Sequence, residues 1–160
     1  MIAFLIAHRE HPARLGRLAR LVLALRAQGG RALEIIVSDQ SPFPHYPVRD
    51  LLTAYYYEPR EKFVRARALN HAARLARSPW LCMIDSDVIP PADFLELLDP
   101  WARAHLGAPI YGVFRVLEGE RLHFDPPTPW GSAIQIFPRA LWEEIGGYCE
   151  DFEGYGYEDV

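Results

Sequence analysis

The sequence predicts an α/β domain with a mostly parallel central sheet, helices on both faces and mixed strands in its second half. Three observations predict it. Short apolar runs alternate with helical segments four times in the first half, an order that lays strands side by side in parallel. The first run, Ile2 to Ala7, is continuously apolar, as a strand buried on both faces is. Arg9, Asp39 and Asp85 each fall at or just past a strand end, where ligands bind in such sheets at a switch in strand order.

Each element has its own signal. Leu15, Leu18, Val22 and Leu25 recur at helical spacing after Pro12, and Gly29-Gly30 closes that helix. Leu33 to Ser38 is a second strand, and the proline-bearing stretch Asp39 to Pro47 is a loop. Thr53 to Tyr57 is a third strand. Val64 to Arg77 is a helix, with Leu69, Ala72, Ala73 and Ala76 on one face. Trp80 to Ile84 is the fourth strand, and Ala92 to His105 is another helix. Ile110 to Val116 and Leu122 to Phe124 read as strands around Gly119, and Ser132 to Phe137 as one more. Pro138 opens a last helix that Gly146-Gly147 ends.

A chain of 160 residues suits a single domain, here 1–160, with no repeat, linker or low-complexity tract. The net charge of −4 argues against a nucleic-acid partner. Lys62 is the sole lysine, an arginine bias read as genomic rather than functional. Cys82 and Cys149 make no CxxC and read as free structural thiols of a reducing compartment. Ile2 to Ala7 is too short for a signal or a membrane span. The expected location is therefore cytoplasmic, with any peripheral membrane attachment left to segments outside this chain. The chain stops at Glu158-Asp159-Val160 with no cap or tail signal, so a C-terminal truncation is expected.

The chemistry concentrates in Asp85-Ser86-Asp87, which follows an apolar strand and precedes Pro90-Pro91. Two acids at i and i+2 of a strand tip suit a hard cation held against a diphosphate. The same residues would also suit a helix N-cap or a solvated turn. Alternate residues of an extended tip point opposite ways, so the two acids should have different tasks unless the tip bends. Arg65 and Arg67, near a helix start, suit a phosphate or a nucleobase edge, or a solvated basic face. Asn70 is unfavourable inside a helix and reads as kept for a hydrogen bond. Trp130-Gly131-Ser132-Ala133 is a glycine loop that would let backbone approach a ligand. Glu158-Asp159, after Gly154-Tyr155-Gly156-Tyr157, pairs a carboxylate with aromatic rings that suit a sugar. None of the six histidines makes a zinc spacing, and no P-loop, GxGxxG or nucleophile elbow is present.

Together, these segments resemble the GT-A (Rossmann-like) glycosyltransferases, in particular the beta-1,4-galactosyltransferase type, related in fold to glycosyltransferase family 2. Ala7-His8-Arg9 stands at that type's PFR-like turn. Phe63, Arg65, Ala66, Leu69 and Asn70 match its FxRAxxLN segment, and Asp85-Ser86-Asp87 with Pro90 its DVD motif. Gly154 to Asp159 matches its WGWGGEDD stretch, with tyrosines where that type has tryptophan and glycine. Ser38-Asp39-Gln40-Ser41 is nearer the family 2 pattern. The type's further metal ligands, including a downstream histidine, have no counterpart here.

The resemblance implies a metal-dependent, inverting hexosyltransferase-like enzyme using Mn²⁺ or Mg²⁺. Its donor would be a nucleotide sugar, UDP-linked, and its acceptor a carbohydrate or glycoconjugate hydroxyl. It implies that Arg9, Asp39, Arg65, Asn70 and Asp85 contact the nucleotide and Asp87 the metal. Asp159, beside Glu158, would be the base, with Trp130, Gly131, Tyr155 and Tyr157 near the sugars. Two alternative readings stand beside it. One is a non-catalytic nucleotide-sugar or carbohydrate-binding module. The other, weaker, is a phosphohydrolase with Asp85 as nucleophile.

Overall fold

The computed structural model describes residues 1–10, 16–29, 32–44, 48–96, 98, 110–112, 116–118, 121–123 and 134–152. The strands are β1 (Ile2–His8), β2 (Glu34–Asp39), β3 (Ala54–Tyr57), β4 (Trp80–Ile84), β5 (Ile110–Gly112), β6 (Val116–Glu118), β7 (Arg121–His123) and β8 (Ile134–Pro138). The helices are α1 (Arg17–Gly29), α2 (Arg65–Leu75) and α3 (Arg139–Ile145), with a 3-10 turn at Arg49–Leu51. Residues 94–96 and 98 are also helical.

Six strands form the main sheet in the order β3-β2-β1-β4-β8-β5, and β6 and β7 make a separate antiparallel pair. β1 runs parallel to both β2 and β4, and β2 parallel to β3. β8 runs antiparallel to β4 and β5. The expected mostly parallel sheet with mixed later strands is thus present. The chain builds outward from β1 to β3, then returns to lay β4 on the other side of β1. That reversal puts a switch point between β1 and β4, where a crevice opens beyond the carboxyl ends of the strands.

Strand residues alternate between two cores, as a period of two requires. Phe4, Ile6, Ile35, Val37, Cys82, Ile84, Ile134 and Ile136 face α1, Phe94 and Leu98. Ala3, Leu5, Ala7, Ile36, Leu81, Met83 and Phe137 face α2 and Trp142 of α3. The small Ala68, Ala72 and Ala73 let α2 lie close on its face of the sheet. Both faces are covered, which explains why β1, β2 and β4 read as unbroken apolar runs.

The end of the sheet away from the crevice is tied by Glu34. Its carboxylate accepts from the Ser78 amide at 2.7 Å and hydroxyl at 2.5 Å, and from the Arg77 amide. Burial pushes the Glu34 carboxyl up, but these hydrogen bonds outweigh burial and hold it below its ordinary value. α3 is joined to the same end by Arg139, whose guanidinium donates to the carbonyls of Ser78, Ala73 and Ala76. Gly146, left-handed at φ 79°, ends α3 where the paired glycines were expected to. Buried Cys82 has its thiol pushed up by desolvation, which suits an inert core cysteine, and Cys149 is free and exposed.

The elements differ from expectation mainly at their edges. β2 runs one residue further, to Asp39, because Asp39 keeps its register with both His8 and Tyr57. The strand expected over residues 110–116 is two pieces, β5 and β6, in different sheets. Most of the helix expected over 92–105, and the loop 125–131, lie outside the described residues. Among the described residues no helix is long and apolar enough to cross a membrane.

Candidate active site

Three strand ends converge on the crevice: His8-Arg9 after β1, Asp39 at the end of β2 and Asp85 after β4. Asp39 is fully buried. It accepts from the Ser41 amide at 2.8 Å and from the Tyr55 hydroxyl. The Asp39 loop is bound to its neighbours by further polar contacts. The Gln40 amide donates to the His8 carbonyl at 2.8 Å, and Ser41 Oγ accepts from the Glu10 amide at 2.7 Å. The Gln40 side chain, fully buried, donates to the Val64 carbonyl and accepts from the Val64 amide. Gln40 thereby fixes the start of α2 to the end of β2.

Asp85 to Val88 is a turn, closed by the Val88 amide donating to the Asp85 carbonyl at 3.1 Å. The two acids go to opposite sides of the sheet. Asp85 meets Arg65, the first residue of α2, with Nε and Nη2 both 3.2 Å from Oδ1. Asp87 meets Arg17, the first residue of α1, at 3.3 Å. Each acid therefore faces the leading arginine of the helix on its own side. Arg65 is largely buried, with its side chain 10% exposed, whereas that of Arg17 is 48% exposed. The Asp87 pair is thus the more readily exchanged.

Arg9 donates to the carbonyls of Arg60 at 2.6 Å and Glu61 at 2.8 Å. Arg60 and Glu61, with Pro59, Lys62 and Val64, line an open cleft of about 410 Å³. A divalent cation fits the chemistry at the β4 end, because part-exposed carboxylates are hard oxygen donors. Among the described residues no three His, Cys, Asp or Glu side chains form a ready-made metal cluster.

Arg67 does not join Arg65 at the crevice. Two positions on, a helical side chain has turned by about 200° and faces away. Arg67 instead makes a two-pronged contact with Glu58, with Nη2 2.8 Å from Oε1 and Nε 3.0 Å from Oε2, and reaches Glu150 at 3.3 Å. The Arg67 hydrogen bond holds the Glu58 carboxyl below its ordinary value. His71 stacks on Tyr56 with ring centroids 4.4 Å apart and lies 3.8 Å from Glu58. Burial lowers its pKa, so at neutral pH that contact is not an ion pair. Asn70 turns to Tyr148 and Glu150, through its amide and its carbonyl oxygen.

Of the expected site residues, the structure brings Arg9, Asp39, Arg65, Asp85 and Asp87 to the crevice. Trp130, Gly131, Tyr155, Tyr157, Glu158 and Asp159 lie outside the described residues. Sequence reading missed Gln40, Tyr55, Glu58 and Glu150. The polar run Ser38 to Ser41 at the end of an apolar strand was the available signal for Gln40. The others are visible only once the strands are paired.

A mostly parallel sheet with a switch point, an acidic turn after its fourth strand and an antiparallel strand beside it define a GT-A glycosyltransferase domain. A sequence model of glycosyl transferase family 2 matches residues 4–154, and the chain belongs to that family. Comparison with curated protein sequences finds no match.

Solved structures share the fold. Residues 1–349 of TarS from S. aureus align over 98% of this chain and 52% of theirs, at TM-score 0.74 and 14% identity. The mannosyltransferase PcManGT of Pyrobaculum calidifontis, solved with GDP-Man and Mn²⁺, aligns over 94% of this chain and 48% of its own. Its TM-score is 0.69 and its identity 20%. A Drosophila beta-1,4-galactosyltransferase 7 mutant, solved with manganese, UDP-Gal and xylobiose, aligns over 98% of this chain and 58% of its own. Its TM-score is 0.58 and its identity 18%. At these identities the likeness is one of fold, and the chain spans about half the length of these proteins.

Proposed function

We propose that this chain carries the donor site of a metal-dependent, inverting glycosyltransferase. It would move a sugar from a nucleoside diphosphate sugar, UDP-linked in our reading, to an acceptor hydroxyl of a carbohydrate or glycoconjugate. The observation that supports this most is the division of labour in the turn after β4, where Asp85 and Asp87 face arginines on opposite sides of the sheet. Solved proteins of this fold bound to UDP-GlcNAc, to GDP-Man and to UDP-Gal support a nucleotide-sugar donor. A cytoplasmic location remains part of this reading, in keeping with the free Cys82 and Cys149.

The nucleotide would lie along the crevice from the cleft at Arg60–Val64 towards Asp85. Arg9 and Arg65 would flank it. Asp39, fully buried and held by the Ser41 amide and the Tyr55 hydroxyl, is assigned to the nucleobase. Asp85, held by Arg65, would orient the ribose or donor sugar. Asp87 would hold Mn²⁺ or Mg²⁺, which supplies positive charge opposite the diphosphate. The acceptor oxygen attacks the anomeric carbon as the bond to the diphosphate oxygen breaks. Asp159, beside Glu158, takes the acceptor's proton, and the released electron pair leaves on the diphosphate. Trp130, Gly131, Tyr155 and Tyr157 are assigned to sugar contacts.

A thermal-shift screen of UDP- and GDP-sugars, with and without Mn²⁺, tests this directly. A metal-dependent shift that Asp87→Ala removes is the expected result. An unchanged Mn²⁺-dependent UDP titration in that variant would overturn the metal assignment. In the full-length protein, Asp159→Asn should keep donor binding and lose turnover. Donor binding by the full-length wild type, with no turnover on any acceptor, would instead favour the binding-module reading.

A further inference from the structure

We infer that Asn70, with Arg67, is a positioning residue that anchors the segment leading to the general base, rather than a contact of the donor. This rests on the reading of Asp159 given above.

Asn70 is 6% exposed on α2, where asparagine is a poor helix former. It is used there to grip another segment. Its Nδ2 donates to the Tyr148 carbonyl at 2.9 Å, and its Oδ1 accepts from the Tyr148 amide at 3.0 Å. One side chain thus meets both backbone groups of Tyr148, as a neighbouring strand would. The same Nδ2 donates to Glu150 Oε1 at 2.9 Å. The other Glu150 oxygen accepts from Arg67 at 3.3 Å, and Arg74 lies 3.7 Å from Oε1. Arg67 is itself fixed by the two-pronged Glu58 contact.

The turn that presents Tyr148 is shaped to this grip. Gly147 has φ 80°, and a Cβ placed there would stand 2.5 Å from Asn70 Oδ1 and 3.2 Å from the Trp142 ring. Glycine is therefore needed twice over, for the left-handed backbone and for the approach of Asn70. The Tyr148 ring packs edge-on against Trp142 at 4.8 Å, which fixes the other side of the turn.

The consequence lies along α2. Its first residue pairs with Asp85 on the donor side, and its middle grips the segment from which the chain runs on to Asp159. Through these contacts α2 would reference the donor side and that segment to each other. Misplacing a reacting group by about 1 Å can cost about 100-fold in rate, so a shared reference is valuable.

The test uses the full-length protein carrying Asn70→Ala, Asn70→Asp or Gly147→Ala, and reads donor affinity, turnover and amide exchange. Asn70→Ala and Gly147→Ala should leave UDP–Mn²⁺ affinity within about twofold while kcat falls ~10- to 100-fold. Exchange at the Tyr148 amide should quicken in both. Asn70→Asp keeps an acceptor for that amide but sets a carboxylate oxygen against the Tyr148 carbonyl and the Glu150 carboxylate, so exchange should quicken and kcat fall at least as far as in Asn70→Ala. A tenfold loss of donor affinity in Asn70→Ala would make it a donor contact and overturn the inference, as would wild-type kcat.

If those variants fail to fold, Glu150→Gln decides. At that part-exposed position kcat should fall about threefold, the worth of a surface ion pair, at unchanged donor affinity. Unchanged kcat would overturn the inference. If the wild type neither binds UDP nor transfers, the parent reading fails instead, and Tyr148 exchange in Asn70→Ala still decides whether the anchor exists.

Discussion

The ends of β2 and β4 both present acids to the same crevice, yet they are built in opposite ways. Asp39, after β2, is fully buried and hydrogen-bonded to the Ser41 amide and the Tyr55 hydroxyl. Asp85 and Asp87, after β4, are part-exposed and face arginines. Hydrogen bonds to a buried carboxylate fix a loop, because every partner is left unsatisfied if the acid goes. Ion pairs at the surface hold little and exchange readily with other charges. The difference teaches which acid supports the site and which acids can trade partners.

Mutation breaks or sharpens this contrast. Asp39→Ala should cost the most, about 3 kcal/mol by urea unfolding, because the Ser41 amide and Tyr55 hydroxyl lose their acceptor. A cost below that of Asp85→Ala would reverse the comparison. Asp85→Ala should cost about 1–2 kcal/mol, since it strips an ionic partner from the largely buried Arg65. Asp87→Ala should cost less than about 0.5 kcal/mol, with its effect seen in metal-dependent binding instead. Arg17→Ala should change stability least and raise Mn²⁺ affinity about two- to fivefold by removing a competing cation. A weaker Mn²⁺ titration in that variant would show that Arg17 assists the metal.

Acid should act through other carboxylates. Glu34 and Glu58 have folded-state pKa values below the ordinary 4.5, so their contribution is full above that value and is lost as pH falls further. His71 is held below 6.5, so its protonation opposes folding as pH drops below 6.5. Denaturant midpoints should therefore be level from about pH 7 to about pH 8, decline slightly below 6.5 and fall steeply below 4.5. The steep fall should shrink in Arg67→Met, which removes the principal stabiliser of the Glu58 charge.

Much of the fold was legible because local patterns are strong where both faces of a strand are buried. β1, β2 and β4 announce themselves as apolar runs, and Gly146-Gly147 marks the end of α3. The split of β5 from β6 was hidden, since the choice between two sheets depends on pairing partners distant in sequence. At the site, types of residue were legible but directions were not. Arg65 and Arg67 look equivalent in one dimension, and helix rotation separates them. Asn70 was recognised as a hydrogen-bonding residue, while its partners, Tyr148 and Glu150, lie far along the chain.

The position of β8 also has a consequence for how the protein is made. The four parallel strands leave the ribosome first, and one edge of β4 then waits for a partner. That partner is roughly fifty residues further along, about 3 to 10 s at ordinary synthesis rates. For that interval Leu81, Cys82, Met83 and Ile84 present an unpaired apolar margin, the kind of edge that recruits stray strands from other nascent chains. Yield on expression should therefore depend less on the finished domain's stability than on how soon residues 134–138 arrive to seal it.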